Sequence, residues 1–189
     1  MKIRKKRLRN FSILSIFLCV VIACTPSQKR IIYNDLKQIL LSEILLSIDM
    51  PGTDGSSFRE KTAEKDFKII HYIDSTSCNE CSLKSLHYWQ GIMEDTAFSN
   101  VGFFFIVWSD SFEDTRRALS NIKFKHTVYL DMHGYFGWEN KYLKNNLYNT
   151  ILINRDNQVV LVGDLLGNTR LMEKYREMIE RNEALSSPL

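Results

Sequence analysis

Two cysteines three positions apart, Cys78 and Cys81, are the residues of this chain that could most readily do chemistry. A disulfide between them would close a very short loop, which constrains an unfolded chain little, so stabilisation explains the pair poorly. Thiol–disulfide exchange or binding of a soft metal ion is then the expected chemistry. The other two cysteines, Cys19 and Cys24, both lie near the amino terminus.

A basic and then apolar leader opens the 189-residue chain. Six of the 25 Lys and Arg residues lie in the first ten positions, and an uncharged apolar run follows at residues 11–23. This run is too short to span a bilayer comfortably but suits the core of a signal peptide. We therefore expect residues 1–23 to be a signal peptide and the rest of the chain to lie outside the cytoplasm.

The end of the leader, Val21, Ile22, Ala23 and Cys24, resembles the lipobox of bacterial lipoproteins. The resemblance implies cleavage before Cys24 and lipidation of its sulfur, which anchors the chain without a spanning helix. Residues 24–32 are then the lipidated cysteine and a tether. An uncleaved signal anchor with an incidental Cys24 is the alternative. Either anchor places the protein in the cell envelope, facing the periplasm, at the inner or the outer membrane.

Loss of the leader changes the charge of the protein. The full chain has a formal net charge of +3, but without residues 1–23 it keeps 19 basic residues against 22 acidic ones. The basic footprint that nucleic-acid binding requires disappears with the leader, so no nucleic-acid partner is expected. The length suits one domain, and the composition excludes collagen-like, low-complexity and disulfide-dense chains.

Hydrophobic periodicity predicts alternating strands and helices from residue 67 onward. Such an alternation predicts an α/β fold with a central mixed sheet and helices on both of its faces. The predicted strands cover residues 67–74, 101–108, 127–130, 150–153 and 158–162, and the predicted helices follow Cys78 and cover 109–122 and 169–183.

The segment before the first predicted strand is harder to interpret. Residues 33–66 are predicted to be an extension that packs on the core domain, residues 67–185. Apolar residues within 33–48 have helical spacing, although a strand is equally compatible with the second half. Residues 51–57 are a loop by their turn-forming composition. Residues 134–138, which combine glycines with aromatic residues, are predicted to be a loop near the active-site face.

The stretch from Asp74 to Cys81 resembles the active-site motif of the thioredoxin superfamily, where a Cys-x-x-Cys opens a helix after a central strand. The strand that ends in Asp131 and the hairpin that begins at Asn149 and Thr150 resemble the membrane-anchored extracytoplasmic branch, which includes the cytochrome c maturation reductases. Small lipoproteins of Bacteroides-type bacteria are also similar. The resemblance implies a thioredoxin-like fold and a thiol-disulfide oxidoreductase whose substrate-facing loop contains Asn149 and Thr150.

Three positions depart from the family pattern. Ser77 stands where thioredoxins usually have Trp, Tyr72 where they have a buried Asp, and Asn149 where they have a cis-proline. A cis bond before a non-proline residue costs about 2.5–4 kcal/mol, so we expect a trans bond or a differently shaped loop at Asn149. The missing cis-proline bears on how substrates dock and on how metal is kept from the thiols.

The redox interpretation assigns a role to each cysteine. A thiolate at Cys78 is stabilised by the start of the predicted helix, so Cys78 is the nucleophile toward a protein disulfide. Cys81 then resolves the mixed disulfide. Glu80 opposes thiolate formation by its charge, which favours a reductase over an oxidase. A membrane electron donor would reduce the pair again, and no cofactor or resident metal is expected.

Three alternatives remain open at this point. Cys78 and Cys81 with His126 or His133 could bind Cu(I) or Zn(II). A peroxidase would have Thr where the chain has Ser75. A non-enzymatic envelope lipoprotein would use the fold as a binding platform.

Other conspicuous residues are predicted to be structural. His71 is expected to be a hydrogen-bonded core residue in the first strand. Asp110, Glu113 and Asp114 are expected to form a solvated helix start rather than a metal cluster.

Overall fold

The computed structural model describes residues 27–74 and 79–186, without the side chains of residues 79–81 and 182–186. Contacts divide the chain into two units, Met1–Lys37 and Gln38–Leu189. The second unit holds the sheet described below. Among the helices of the described ranges, none combines the length and the apolar character needed to cross a membrane.

Five strands form one sheet: β1 (Phe67–Ile73), β2 (Val101–Val107), β3 (Val128–Leu130), β4 (Thr150–Ile153) and β5 (Val159–Val162). Their order across the sheet is β3-β2-β1-β4-β5, which places β1 in the centre. β1 and β3 both run parallel to β2, whereas β4 runs antiparallel to β1 and forms a hairpin with β5.

The helices connect and cover the strands. Side-chain hydroxyls cap two of them, since Ser57 accepts from the N–H of Glu60 and Ser111 from that of Asp114. The described helices are α1 (Gln28–Ile39), α2 (Phe58–Ala63), α3 (Asn79–Met93), α4 (Phe112–Asn121), α5 (Tyr135–Glu139) and α6 (Thr169–Ser186), with 3-10 turns at Thr96–Phe98 and Lys141–Lys144.

Successive side chains of β1 point to opposite faces of the sheet, so each face has its own core. On the first face, which we call the α3 face, Ile69 and Ile73 join an apolar cluster with Trp89 of α3 and Tyr175 of α6. The ring of Trp89 is fully buried there. This cluster fixes α3 against the centre of the sheet.

The opposite face of the sheet, which we call the α5 face, has an aromatic core. The ring of Phe58 in α2 packs edge-on against Phe104, Tyr129 and Phe136, with centroids 5.2–5.7 Å apart. Phe136 belongs to α5 and also contacts Tyr72 of β1. These contacts hold α2 and α5 on the sheet.

The structure confirms the predicted α/β fold with a mixed sheet between helices. Each observed strand begins and ends within one residue of its predicted bounds. The predicted helix over 109–122 is α4, and the predicted terminal helix begins at Thr169 as expected. The sequence was sufficient for these elements because the strands are short apolar runs and the helices carry their apolar residues at helical spacing.

Two segments differ from the prediction. The helix expected within 33–48 begins at Gln28 and ends at Ile39, because Leu41 takes a left-handed φ of 68° and its N–H donates to the carbonyl of Val159. A single bridge between Glu43 and Gln158 follows rather than a strand. The bounds of the extension, 33–66, stay a prediction.

The second difference concerns residues 134–138, which were predicted to be a loop. Most of them form helix α5. The carboxylate of Asp131 accepts the N–H groups of Phe136 and Gly137, at 3.2 and 3.1 Å, and so satisfies the start of the helix from outside it. The prediction was wrong because the capping group precedes the helix by four residues.

Candidate functional site

The carboxyl ends of the parallel strands β1, β2 and β3 lie at one edge of the sheet. The N–H of Trp108, which follows β2, donates to the carbonyl of Ile73 at the end of β1. The N–H of Asp131, which follows β3, donates to the carbonyl of Val107. Asp74, Trp108 and Asp131 therefore succeed three neighbouring strands side by side. In parallel α/β sheets this edge is where ligands and reactive groups are usually found.

The Cys-x-x-Cys motif belongs to this edge by its place in the chain. β1 ends at Ile73 and α3 begins at Asn79, so the motif spans the junction between the central strand and its helix. Cys78 lies outside the described residues, together with Ser75 and Ser77. Cys81 is the third residue of α3, and its side chain lies outside the described part. Their chemical roles stay predictions.

Lipidation of Cys24 and the predicted signal peptide also fall on residues outside the described ranges. The two histidines weighed as metal ligands are both exposed. His133 follows β3, at the edge formed by the carboxyl ends of the parallel strands. His126 precedes β3 and lies toward the opposite edge. Among the described residues, no three His, Cys, Asp or Glu side chains come together as a metal site.

The predicted substrate-facing residues lie beside the end of β1. The carbonyl of Asn149 accepts the N–H of Tyr72 at 2.8 Å, so Asn149 extends the pairing of β4 toward the candidate edge. No peptide bond among the described residues is cis, in agreement with the expectation for Asn149. Asn149 is half-buried, whereas the side chain of Thr150 is fully buried and faces the core.

Thr150 forms a buried polar contact with His71 on the α3 face. Its hydroxyl lies 2.8 Å from Nδ1 of His71, and it pairs with His71 across β1 and β4. Burial lowers the pKa of His71 to about 4, an effect that the charge of Asp164 partly opposes. His71 is therefore neutral at pH 7 and is a hydrogen-bonded core residue, as predicted.

Trp89 lies over His71, with ring centroids 5.2 Å apart. Its indole N–H is buried and has no hydrogen-bond partner among the described residues. Trp89 belongs to α3, the helix that contains Cys81. The contact therefore ties α3 to the strand pair β1 and β4. The buried rings thereby fix the relative positions of the motif helix and the Asn149 loop.

Tyr72 forms the corresponding contact on the α5 face. This residue, at the position where thioredoxins have a buried Asp, donates its hydroxyl to Asp131 at 3.2 Å. Burial and the nearby charge of Asp131 both raise the pKa of Tyr72 above its ordinary value, so the hydroxyl keeps its proton. Asp131 thus joins β1 to the start of α5.

The approach of α5 to β1 requires glycine at position 137. A Cβ atom at Gly137 would lie 2.2 Å from the hydroxyl oxygen of Tyr72. The Asp131 carboxylate, which accepts from both residues, sets this close approach. Any larger residue would force α5 away from the sheet.

An open groove of about 550 Å³ lies along the same edge, and we call it the aromatic groove. Trp138 is 70% exposed and Tyr135 59% exposed. The ammonium of Lys144 lies 4.9 Å from the centroid of the Trp108 ring. The residues lining the groove are Ile48, Trp108, His133, Gly134, Tyr135, Trp138, Glu139 and Lys144.

The aromatic groove was not predicted from the sequence. Trp108 was predicted to end a strand, and residues 134–138 were predicted to form a loop near the active-site face. The available signal was the run of aromatic residues directly after a strand that ends in Asp131. Tyr135 and Trp138 are three residues apart and share the exposed side of α5, whereas Phe136 lies on its buried side.

Comparison with known proteins finds likeness only in three dimensions. No protein-family model matches the chain. No curated protein matches its sequence.

Several solved structures share the fold. The thioredoxin domain of a thiol-disulfide oxidoreductase from Bacteroides vulgatus superimposes with a TM-score of 0.54 at 13% identity, over 74% of this chain and 99% of that one. A protein from Chlorobium tepidum, described as a thiol:disulfide interchange protein, gives 0.53 at 18% identity over 74% and 98%. Peroxiredoxin Q from Xanthomonas campestris gives 0.55 at 11% identity over 76% and 97%.

The similarity covers nearly the whole of each compared chain, although the sequences have diverged widely. The mixed five-stranded sheet flanked by helices matches these neighbours. The chain therefore has a thioredoxin-like fold.

Proposed function

We propose that the protein is a lipid-anchored thiol-disulfide oxidoreductase of the cell envelope that acts through Cys78 and Cys81. The observation that carries this proposal is that central strand β1 ends at Ile73 and helix α3 begins at Asn79 in a thioredoxin-like fold, so that the Cys-x-x-Cys of the sequence spans the junction of the two elements. Neighbours from Bacteroides vulgatus and Chlorobium tepidum that share the fold are described as thiol-disulfide oxidoreductase and thiol:disulfide interchange protein.

The exchange proceeds in two steps. The Cys78 thiolate attacks one sulfur of a substrate disulfide, which forms a mixed disulfide and releases one substrate thiolate. The Cys81 thiolate then attacks the Cys78 sulfur and releases the second substrate thiolate, leaving a Cys78–Cys81 disulfide. Two electrons pass from the enzyme to the substrate, and a membrane dithiol donor returns them. The charge of Glu80 favours this reducing direction.

The described residues fix the two elements that flank the motif, helix α3 and the Asn149 loop. Trp89, over His71, holds the motif helix on the sheet, and Asn149 is fixed beside β1 by its bond to Tyr72. Asn149 takes the place of the cis-proline, so its half-buried side chain is the group that a docked substrate meets.

The lipid anchor is a separate part of the proposal. It rests on the basic and apolar leader and on the sequence Val21, Ile22, Ala23 and Cys24. Cys24→Ala should abolish incorporation of radiolabelled palmitate and cleavage of the leader, so that the protein keeps the larger mass of the uncleaved chain. Cys19→Ala is the matched control, because it lies within the apolar run and should leave both readouts unchanged.

The first experiment is the reduction potential of the cysteine pair. The full chain is equilibrated with dithiothreitol buffers, alkylated and digested with trypsin, and the peptide of residues 69–84 is analysed by mass. Lys68 and Lys84 bound this peptide, so Cys19 and Cys24 do not contribute to the signal. A two-electron couple below about −200 mV supports a reductase. Thiols that never form a reversible couple contradict the proposal.

Single substitutions then separate the two cysteines. Cys78→Ser should abolish insulin reduction, whereas Cys81→Ser should accumulate mixed disulfides between Cys78 and substrate proteins. Ser82→Ala, directly after the motif, is the control and should keep wild-type turnover. Wild-type activity in both cysteine variants would favour the binding-platform alternative. Reduction of hydrogen peroxide that depends on Cys78, without insulin reduction, would instead favour a peroxidase.

A further inference from the structure

We propose that the aromatic groove binds an extended polypeptide segment in which a large apolar side chain stands next to a carboxylate. This inference deepens the proposed function and rests on it in one respect: the segment would belong to the protein whose disulfide is reduced. The groove would then select substrates by residues other than their cysteines.

The apolar side chains of the groove are exposed, because no other described part of the chain covers them. Trp138 and Tyr135 expose 70% and 59% of their surface, whereas Phe136 and Gly137 of the same helix are buried. Trp and Tyr are the residue types most enriched at energetically important positions of protein interfaces. Since the groove measures about 550 Å³, it has room for a large side chain and its neighbours.

The groove is also rigid before any ligand arrives. Asp131 fixes the start of α5 through the N–H groups of Phe136 and Gly137. Gly134 lies against the indole of Trp108, where even a Cβ atom would come within 2.9 Å of the ring. A preformed site loses less conformational entropy on binding than a mobile loop does.

The charge of Lys144 is the reason to expect a carboxylate next to the apolar side chain of the ligand. The Lys144 ammonium lies over the Trp108 ring, and no carboxylate of the described residues forms an ion pair with it. A carboxylate next to an apolar side chain can reach this ammonium while that side chain contacts the indole. Glu139, on the same groove, would repel a second carboxylate and disfavours ligands with clustered acids.

The position of the groove links it to the cysteines. Trp108 donates its N–H to Ile73, the last residue of the strand that leads to the motif. The groove and the motif therefore lie at the same edge of the sheet. A polypeptide held in the groove would present its neighbouring residues to that edge.

Binding can be measured without any redox chemistry. The full chain with Cys78→Ser and Cys81→Ser, labelled with 5-fluorotryptophan, is placed in phosphatidylcholine nanodiscs and titrated with a cysteine-free hexapeptide containing phenylalanine followed by aspartate. We expect the fluorine resonances of Trp108 and Trp138 to shift, while that of buried Trp89 stays in place. Replacement of the peptide's phenylalanine by alanine, or of its aspartate by lysine, should weaken binding at least about fivefold.

Protein variants sharpen the assignment. Trp138→Ala should raise the peptide's dissociation constant about tenfold, whereas Tyr88→Ala, an equally exposed aromatic outside the groove, should leave it unchanged. Lys144→Gln should raise it about threefold for the aspartate peptide and not for the lysine peptide. Lys125→Gln, the same charge change before β3, is the matched control.

Three outcomes would overturn the inference. They are the absence of any shift at Trp108 and Trp138, equal affinity for the aspartate and lysine peptides, and quenching of Trp138 by spin-labelled lipid without a peptide effect, which would identify a lipid surface as the occupant. If peptides bind as expected but the wild-type pair shows no reversible couple, the groove stands and the oxidoreductase proposal fails.

Discussion

Each face of β1 buries a polar side chain, but the two side chains find their partners by different chemistry. On the α3 face, His71 contacts Thr150 and lies under Trp89, where burial disfavours its charged form. On the α5 face, Tyr72 donates to the ionisable group of Asp131, which also caps a helix. Adjacent residues of one strand thus anchor the Asn149 loop on one side and the aromatic groove on the other.

The difference shows what each face can tolerate. The α3 face keeps the ring of His71 neutral. Acid, which protonates this ring, and loss of packing around it should therefore both destabilise this face. The α5 face concentrates three hydrogen bonds on one carboxylate, and its weakness is any atom added at Gly137. Substitutions and pH should therefore affect the two faces separately.

Loss of packing on the α3 face should have the largest effect. Trp89→Ala removes a fully buried indole and leaves a cavity beside His71, so we expect the free energy of unfolding to fall by about 3–5 kcal/mol. Urea denaturation followed by circular dichroism measures the change. Trp138→Ala, which truncates an indole that is 70% exposed, should change it by less than about 0.5 kcal/mol. Equal losses would contradict the buried position of Trp89.

Acid should weaken the α3 face through His71. Its pKa is about 4 in the folded protein and about 6.5 in the unfolded chain, so the unfolded chain binds more protons between these values. Stability is therefore full above pH 6.5 and falls by up to about 3 kcal/mol as the pH drops to 4. His71→Gln should remove this component, which is measured as the difference between the two unfolding curves at each pH. Parallel curves would show that His71 does not titrate in this range.

On the α5 face, Gly137→Ala should cost about 2 kcal/mol, since the new methyl group collides with the Tyr72 hydroxyl and must push α5 outward. Gly91→Ala is the matched control. A Cβ at this position meets nothing within 4 Å, and Gly91 lies in the last turn of α3, so alanine should stabilise the protein by about 0.5 kcal/mol. Thermal unfolding of both variants checks the pair, and a loss at both positions would refute the steric explanation.

The smallest effect is expected from the hydroxyl of Tyr72 itself. Tyr72→Phe removes the bond to Asp131 and should cost about 1.5 kcal/mol, while Asp131 keeps its bonds to the N–H groups of Phe136 and Gly137. Chemical denaturation gives the value. Tyr135→Phe, at an exposed hydroxyl in the groove, should leave the free energy of unfolding unchanged. A similar loss at Tyr135 would mean that the effect at Tyr72 does not come from its bond to Asp131.

Sequence patterns predicted the sheet elements well because each strand has its own signal. β1 and β2 are rich in β-branched and aromatic residues, as expected of strands buried on both faces. The hairpin followed from two short apolar runs around Asn154–Asn157, and Asn157 indeed takes a left-handed φ of 60°. His71 was recognised as a core residue because it stands inside such a run.

The candidate site was predicted only in part. The motif could be found from its spacing, and the place of Asn149 from the resemblance. The burial of Thr150, the bond between Tyr72 and Asp131 and the aromatic groove could not be found, because each joins residues that are far apart in the chain. α5 was missed for a local reason, since the carboxylate that satisfies its first turn belongs to Asp131, four residues before the helix and not at its N-cap.

The sequence by itself determined the class of fold and the position of the Cys-x-x-Cys motif at the junction of a strand and a helix, because periodicity and local spacing are properties of short segments. Only the tertiary structure decided which polar residues become buried partners and which aromatic residues remain exposed. Those outcomes depend on the register of β1 against its neighbours, which sends His71 to one face and Tyr72 to the other. Register is a relation between strands, and no single segment contains it.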